Sequence, residues 1–310
     1  MSRLLRIGTR GSQLALTQSR WVQARLTALH PDLAVELVII KTSGDRFVDQ
    51  PLSQIGGKGL FVKEIEDALL AERIDCAVHS MKDVPTELAP GLVIAAIPTR
   101  EDVRDVLITP HGRDVHALPA GARLGTSSLR RMALVRTLRS DLDVCSLRGN
   151  VDTRLRKLDG GELQAVILAA AGLRRLGITR ADASHFDPEH FLPAIGQGAL
   201  AIESRIDATV DLLQPLDDVE TRLAVTAERA FLQRVGGSCR TPLAAYATRA
   251  GDTLMLRALI AAPDGRRVVR GTRSAPPSDA AALGAALADE LLDQGGGAIL
   301  RALAESGDAG

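Results

Sequence analysis

The fold is decided by the stretch Leu4-Leu5-Arg6-Ile7-Gly8-Thr9-Arg10-Gly11-Ser12, in which a short apolar run breaks at a polar turn. A helix is predicted directly after it from apolar residues in helical spacing at Leu14, Trp21, Val22, Leu26 and Leu29. A second apolar run at 35–40 then completes a strand, helix and strand, which predicts a parallel βαβ unit. Ligands of such units bind at the loop after the first strand, so Arg10 and Ser12 are candidate anion contacts. A solvated loop charge is the alternative for Arg10.

The composition describes a globular protein that has no general attraction for polyanions. Its 310 residues predict two or three domains at about 150 residues each, and 45% of them are hydrophobic. Aromatic residues make up only 2%, which argues against base stacking on single-stranded nucleic acid. Lys and Arg number 38, as do Asp and Glu. We therefore predict no nucleic-acid partner.

Positive charge is nevertheless concentrated in one segment. Residues 121–160 contain nine Arg or Lys against four Asp. Arginines recur where predicted strands of the second half give way to helices, at Arg130, Arg131, Arg148, Arg154 and Arg175. The ends of parallel strands meet at one edge of a sheet, so these side chains suit a small polyanion. The alternative is scattered surface arginines, each contributing about 0–1 kcal/mol in an ion pair.

The turn before Arg130 carries its own anion signal. The stretch Arg123-Leu124-Gly125-Thr126-Ser127-Ser128-Leu129-Arg130-Arg131 indicates a strand, a hydroxyl-rich turn and a helix that the hydroxyls can cap. Two arginines in the first helical turn oppose the helix dipole. Their placement makes sense where an anion completes the site, which predicts a carboxylate or phosphate contact.

Cys239 lies in the loop Val235-Gly236-Gly237-Ser238-Cys239-Arg240-Thr241-Pro242, after a predicted helix at 218–235. A thiol in a loop of small residues is open to a bulky reagent, although a small buried Cys at a domain seam fits equally well. Cys76 and Cys145 lie in strand-like runs. No pair has C-x-x-C spacing, so we predict neither a disulfide framework nor a metal site.

Two further segments are candidates from their residue types alone. Lys82 and Asp83 follow a buried strand at 74–78, a position that suits catalysis but also suits an ordinary Asp turn. The glycine-rich run 56–59 precedes a predicted helix, which places backbone N–H groups near a possible anion. Its spacing is not that of a Walker A loop.

Taken together, these segments resemble the porphobilinogen deaminase (hydroxymethylbilane synthase) family. The resemblance rests on seven segments, namely 10–12, 56–61, His79-Ser80-Met81-Lys82-Asp83-Val84-Pro85, 125–131, 146–150, 192–198 and the Cys239 loop. Many members have a second Gly before the cysteine, where this chain has Ser238. The family joins four porphobilinogen units head to tail, releasing ammonia at each step, and frees hydroxymethylbilane by hydrolysis.

The resemblance also implies a role for individual residues. Asp83 would be catalytic, and Cys239 would carry a dipyrromethane cofactor through a thioether. The side chains that would bind the cofactor are Lys82, Thr126, Ser128, Arg130, Arg131 and Ser146. Those that would bind substrate and the growing chain are Arg10, Ser12, Arg148, Arg154, Arg175 and Gln197. No metal is expected.

The element pattern predicts an α/β fold with two periplasmic-binding-protein-like lobes joined by a double crossing, plus a small α+β domain. The expected division is 1–99 with 199–216, then 104–193, then 218–310. The last part would hold a three-stranded antiparallel sheet and the cofactor cysteine. The first residues show no apolar signal region and no run is long enough to span a membrane, so a cytoplasmic protein is expected. The expected oligomeric state is a monomer.

Two other functions fit parts of the pattern. A two-lobed binding protein for a small carboxylate or oxyanion would use the same α/β lobes and arginines. It would have no need of the third domain, and it would be expected to carry an export signal, which is not seen here. A thiol enzyme with Cys239 as nucleophile would need a histidine base, and His79 is the candidate near the predicted cleft.

Overall fold

The computed structural model describes residues 3–43, 62–236 and 241–307, which form two compact units. The first unit comprises Met1–Glu101, Arg174–Gly177 and Gly198–Arg222, and the second comprises Asp102–Leu173, Ile178–Gln197 and Leu223–Gly310. The run 56–61 and the loop around Cys239 lie outside the described residues. The predictions for both segments therefore stay predictions.

The elements are numbered along the described part of the chain. The strands are β1 Arg3–Thr9, β2 Leu33–Ile39, β3 Cys76–Ser80, β4 Leu92–Ala96, β5 Asp105–Ile108, β6 Arg123–Gly125, β7 Asp143–Cys145, β8 Ala165–Ala169, β9 Ala183–His185, β10 Leu200–Arg205, β11 Leu243–Ala250, β12 Thr253–Ala261 and β13 Val268–Ala275. The helices are α1 Gln13–Leu29, α2 Lys63–Leu70, α3 Leu129–Leu138, α4 Val151–Asp159, α5 Ala170–Arg175, α6 Thr209–Leu213, α7 Val219–Val235, α8 Ala280–Leu291 and α9 Gly297–Gly307.

The first unit is built on a five-stranded sheet in the order β2-β1-β3-β10-β4. β1 runs parallel to β2 and to β3, with Ile7 opposite Cys76, whereas β10 runs antiparallel to β3 and β4. The predicted βαβ unit is confirmed, as is the return of the chain to the first sheet near residue 200. Because β1 and β3 are parallel, the turns that follow them lie at the same edge.

Helix α1 covers this sheet through one apolar face. Ser12 caps it, because its hydroxyl accepts a hydrogen bond from the Ala15 backbone N–H. Val22 and Leu26 are fully buried against the strand residues Leu5 and Ile7 in one core. Each such side chain contributes about 1.5–3 kcal/mol on burial, so this packing fixes the position of the loop between β1 and α1.

The second unit contains another five-stranded sheet, in the order β7-β6-β8-β5-β9. β6 is parallel to β7 and β8, but β5 is antiparallel to both β8 and β9. The sequence predicted a wholly parallel arrangement for the arginine-bearing strands, and it is correct for β6, β7 and β8. β5 carries none of these arginines and runs antiparallel to its two neighbours.

A three-stranded antiparallel sheet, in the order β11-β12-β13, completes the second unit as predicted. One face packs on α7 and α8 through residues such as Phe231, Leu256 and Leu287. Ala244 and Leu259 instead join the core that contains residues of β6 and α3. The α/β fold class is confirmed. That 218–310 forms a third domain stays a prediction. Helix α9 was not predicted. In the described ranges, no helix is both long and apolar enough to cross a membrane.

Candidate functional site

A pocket of about 70 Å³ opens at the edge of the first sheet where β1 and β3 end. Its lining combines a cation, hydroxyls, an imidazole and a carboxylate with apolar residues. The side chains that line it are Arg10, Ser12, Leu14, Ala15, Gln18, Val62, Val78, His79, Ser80 and Asp83. The structure therefore brings together three of the predicted site residues, namely Arg10, Ser12 and Asp83.

Asp83 is presented to this pocket by a single turn of 3-10 helix, Met81–Asp83. Met81 anchors the turn because its side chain is buried and its N–H donates to the Ala199 carbonyl at 3.0 Å. Val84 is buried on the other side. The Asp83 side chain is exposed and, within the described residues, makes no hydrogen bond to the backbone of the turn. An ordinary turn-forming Asp would make that bond, so the turn does not depend on the Asp83 side chain.

A second group of predicted residues lies where β6 and β7 end. Ser128 caps α3 by accepting a hydrogen bond from the Arg131 N–H at 3.4 Å. The Ser127 hydroxyl donates to the Leu147 carbonyl at 2.7 Å and lies 3.1 Å from the hydroxyl of Ser146. These bonds tie the two loops together. Thr126, Ser128 and Ser146 thus belong to one hydroxyl-rich edge of the second unit.

The arginines after β7 continue that edge. Arg148 is half-buried and begins the turn that leads to α4. Gly149 in this turn has φ 103°, a left-handed conformation that favours glycine. Its carbonyl accepts a hydrogen bond from the Arg154 Nε at 2.9 Å. Arg154 therefore braces the loop as well as contributing charge to it.

Arg130 and Arg131 meet in the interior around one carboxylate, that of Asp105. Arg130 donates to Asp105 Oδ2 at 2.6 Å, and Arg131 donates twice to Oδ1, at 3.0 and 2.7 Å. Asp105 is fully buried, and the two arginines are 4% and 5% exposed. Burial alone would raise the pKa of Asp105, but the two guanidinium groups outweigh it and hold the pKa well below its usual range.

Gln197 completes the group, since its side-chain amide donates to Asp105 Oδ1 at 3.0 Å and to the Val103 carbonyl at 2.7 Å. Sequence reasoning named Arg130, Arg131 and Gln197 but missed Asp105. The anion expected at the start of α3 is in part supplied by the protein itself. The sequence signal for Asp105 was an acidic residue at the start of a buried apolar strand, because a buried carboxylate needs a cationic partner.

The cluster still has capacity for an anionic ligand. Two guanidinium groups face one carboxylate, so the group carries surplus positive charge. Arg130 Nε is buried and, among the described residues, has no hydrogen-bond partner. A buried donor without a partner costs about 1–3 kcal/mol. The residues therefore fit a cofactor that carries carboxylates, such as a dipyrromethane.

Arg175 falls in the first unit with Arg10, whereas Arg130, Arg131, Arg148 and Arg154 belong to the second unit. Its Nη2 donates to the Gly198 carbonyl at 2.6 Å, just before β10. Burial lowers the pKa of Arg175, and the charge of Glu101 opposes that effect in part. Lys82 is half-buried in the turn before Asp83. Sequence reasoning assigned no site role to Gln18, which is buried in the first pocket and bonds Ser80 at 3.1 Å.

Comparisons with known proteins address the whole chain. A family model described as porphobilinogen deaminase, dipyromethane cofactor binding domain, matches residues 5–211. A second, described as porphobilinogen deaminase, C-terminal domain, matches residues 222–293. Among solved structures, the periplasmic aliphatic sulphonate binding protein SsuA from Escherichia coli is similar at 14% identity, with a TM-score of 0.40, over 75% of this chain and 70% of that chain.

Curated relatives match over nearly their full length. A porphobilinogen deaminase from Syntrophotalea carbinolica is 54% identical over 97% of this chain and 96% of its own. One from Roseiflexus sp. (strain RS-1) is 53% identical over 97% of this chain and 99% of its own. The two-lobed binding protein considered above is not favoured by such relatives. The two family models and this level of identity over both lengths place the chain in the porphobilinogen deaminase family, to which it belongs.

Proposed function

We propose that this enzyme condenses four porphobilinogen units head to tail onto a dipyrromethane tethered to Cys239, then releases hydroxymethylbilane by hydrolysis. Each condensation releases one ammonia. The observation that carries the proposal is the match to porphobilinogen deaminases over 97% of the chain. The cofactor, when bound, supplies a tethered primer with a nucleophilic pyrrole carbon.

Asp83 is the proposed catalytic group. Loss of ammonia from the substrate leaves positive charge on the pyrrole, and a carboxylate fixed at the pocket stabilises that charge as it develops. Arg10 and Ser12 line the same pocket and would bind a substrate carboxylate there. A hydrogen bond between Arg and a carboxylate contributes about 1.5–3 kcal/mol, which is enough to orient the ring against Asp83.

The cofactor carboxylates would be held by Lys82, Thr126, Ser128, Arg130, Arg131 and Ser146. The surplus charge around Asp105 supports this assignment for the two arginines, as does Arg130 Nε, which has no hydrogen-bond partner among the described residues. Arg148, Arg154 and Arg175 would bind the carboxylates of the growing chain. Gln197, whose amide already bonds Asp105, would act by keeping that carboxylate and its arginines in place.

We further propose that the enzyme works as a monomer in the cytoplasm and has neither a nucleic-acid nor a membrane partner. Equal numbers of basic and acidic residues support the absence of polyanion binding. Light scattering during gel filtration measures the molar mass directly. A value twice that of the chain would contradict the monomer.

The intact mass of the purified protein, beside a Cys239→Ala variant, tests the proposed function. We expect the wild-type protein to exceed its polypeptide mass by two linked pyrrole units, and the variant to lack the excess. Cys145→Ala is the matched control, because it removes a half-buried thiol of β7 and should keep the added mass.

Addition of porphobilinogen separates the outcomes further. An enzyme that carries the primer should gain mass covalently in pyrrole-sized steps and release ammonia. A protein that only binds the ligand should return to its starting mass after denaturation. A Cys239→Ala variant with full added mass and turnover would place the primer on another residue.

A further inference from the structure

A buried imidazole and carboxylate lie directly beneath the pocket of the first unit, and neither has a role in the proposed function. His79 on β3 is 6% exposed and Glu203 on β10 is fully buried. Their strands pair antiparallel with His79 opposite Ala201 and Glu203 opposite Ala77, so both side chains lie on the same face of the sheet. His79 Nε2 and Glu203 Oε2 are 3.0 Å apart.

His79 connects this buried carboxylate to the reaction pocket. His79, whose imidazole bonds Glu203, is also among the residues that line the pocket with Arg10, Ser12 and Asp83. Helix α2 covers this face of the sheet, since its residues share a core with Ala77. A proton taken up by His79 from the pocket is therefore stabilised by Glu203 without exposure to bulk water.

Glu203 is costly to bury in this position. Its Oε1 has no hydrogen-bond partner among the described residues, although the atom is buried. In the same ranges, its one ion-pair partner is His79. A buried carboxylate with an unsatisfied oxygen destabilises a fold, and such groups occur where a site needs them.

Other titratable groups surround the pair on each neighbouring element. Glu66 of α2 is half-buried, and its pKa is raised by desolvation and further by the negative charge of Glu203, whereas His79 lowers it. Arg10 and Asp83 face His79 around the pocket from the loops after β1 and β3. Asp83 is thus close to a second acid–base group.

We propose that His79 and Glu203 form the acid–base pair that accepts the proton released in the pocket at each condensation. This inference rests on the proposed function. In each cycle the C–N bond of the substrate aminomethyl group, which enters protonated, breaks so that ammonia leaves with the bonding electrons, and a C–C bond forms between two pyrroles. The attacking ring carbon then loses its proton, which leaves with ammonia as ammonium. His79 holds that proton in between, and Glu203 stabilises the imidazolium.

Kinetics of His79→Gln and Glu203→Gln test the pair with nearly isosteric changes. Loss of a general base lowers rates by about 10²–10⁴-fold, so His79→Gln should lower kcat by about 100-fold with KM nearly unchanged. Glu203→Gln should lower kcat less and move the acid limb of its pH profile to lower pH, because an imidazolium without its carboxylate loses its proton more easily. The double variant should be no slower than His79→Gln, since the residues act as a unit.

Ser204→Ala is the control, because it removes a buried hydroxyl of the neighbouring β10 position that bonds only the adjacent Arg205 carbonyl among the described residues. It should keep wild-type kcat and pH profile. A purely structural role for the pair predicts lower thermal stability in both Gln variants with an unshifted profile. Wild-type kcat in His79→Gln would overturn the proposal.

NMR provides a readout without substrate. The chain has six histidines, so the His79 imidazole signal can be assigned by its loss in His79→Gln. We expect Glu203→Gln to move the titration of this signal to lower pH, and Ser204→Ala to leave it in place. An unmoved titration overturns the proposal. Failure of the wild-type protein to turn over porphobilinogen would contradict the proposed function. The NMR titration of His79 would still show whether His79 and Glu203 share a proton.

Discussion

Asp105 is a single carboxylate that holds three long side chains in the interior of the second unit. It accepts hydrogen bonds from Arg130, Arg131 and Gln197. Asp105→Asn would leave two buried guanidinium groups without a counter-charge. Breaking a buried ion pair costs about 3–5 kcal/mol, so we expect the free energy of unfolding to fall by that amount. Urea unfolding at neutral pH measures it.

Asp141→Asn is the control, because its ion pair with Arg139 involves a side chain that is 44% exposed. Exposed pairs contribute about 0–1 kcal/mol, so this variant should unfold almost as the wild type does. The pH dependence adds a second check. The lowered pKa of Asp105 stabilises the fold above the carboxyl's usual value near pH 4, and this contribution is lost as pH falls below it. Asp105→Asn should therefore lose less stability on acidification than the wild type.

Asp83 is expected to affect turnover rather than folding. The side chain is exposed and, within the described residues, bonds no backbone group of its turn, so Asp83→Asn should leave the thermal unfolding midpoint unchanged. Loss of the charge removes the stabilisation of the developing cation. Removing one such group costs about 10²–10³-fold in kcat. Ammonia release from porphobilinogen measures it, and near wild-type activity would refute the assignment.

Helices α7 and α8 pack unusually closely, and Gly284 makes this possible. A Cβ at Gly284 would overlap the Ala227 carbonyl and would lie 2.8 Å from the Ala230 Cβ. Gly284→Ala should therefore lower stability by about 3 kcal/mol, the upper end of overpacking costs. That outweighs the roughly 1 kcal/mol by which Ala is a better helix former than Gly. Thermal unfolding measures the change.

Ala281→Gly separates crowding from helix propensity in the same helix. Ala281 is exposed, so its replacement should cost about 0.5–1 kcal/mol through propensity alone. Equal or greater stability of Gly284→Ala would show that the two helices can move apart without cost.

The regular elements followed from the sequence wherever apolar periodicity was strong. Strand β8 is an uninterrupted apolar run, and the turn residues at Gly251 predicted the hairpin between β11 and β12. The antiparallel direction of β5 did not follow, because periodicity carries no information on which way a buried strand runs. The short strand β9 was also missed, since three residues give too few repeats to detect.

Glu101 is the last residue of the first unit before the chain first passes to the second, and Gly198 begins a later segment of the first unit. Glu101 N–H donates to the Gly198 carbonyl at 3.2 Å. Gly198 has φ 88°, and a Cβ there would overlap the Glu101 carbonyl. A strained backbone conformation costs roughly 1–3 kcal/mol. We expect Gly198→Ala to lower the free energy of unfolding by more than this, because the overlap adds to the strain.

Gly161→Ala is the matched control for that variant. Gly161 has φ 75° and open space where the Cβ would lie, so only the backbone strain applies. The difference between the two losses in unfolding free energy measures the close approach. Equal losses would mean that the backbones at the crossing separate freely.

Across the whole molecule, residue types and their order predicted which residues lie near one another better than they predicted the hydrogen bonds between those residues. The loop positions of Arg10, Ser12 and Asp83 followed from parallel strand topology. The burial of Arg130 and Arg131 did not follow from the sequence. Adjacent helical residues point in different directions, so a distant partner decides whether both side chains turn inward. Asp105 is 25 and 26 residues away from these arginines in the chain.

Cys76 lies in β3, between β1 and β10, and its side chain has no exposed surface. Burial also raises the pKa of its thiol. Alkylating reagents attack the thiolate, so they reach Cys76 only while this sheet is open. The rate at which iodoacetamide labels Cys76, measured by peptide mass spectrometry, would therefore report how often the sheet of the first unit opens.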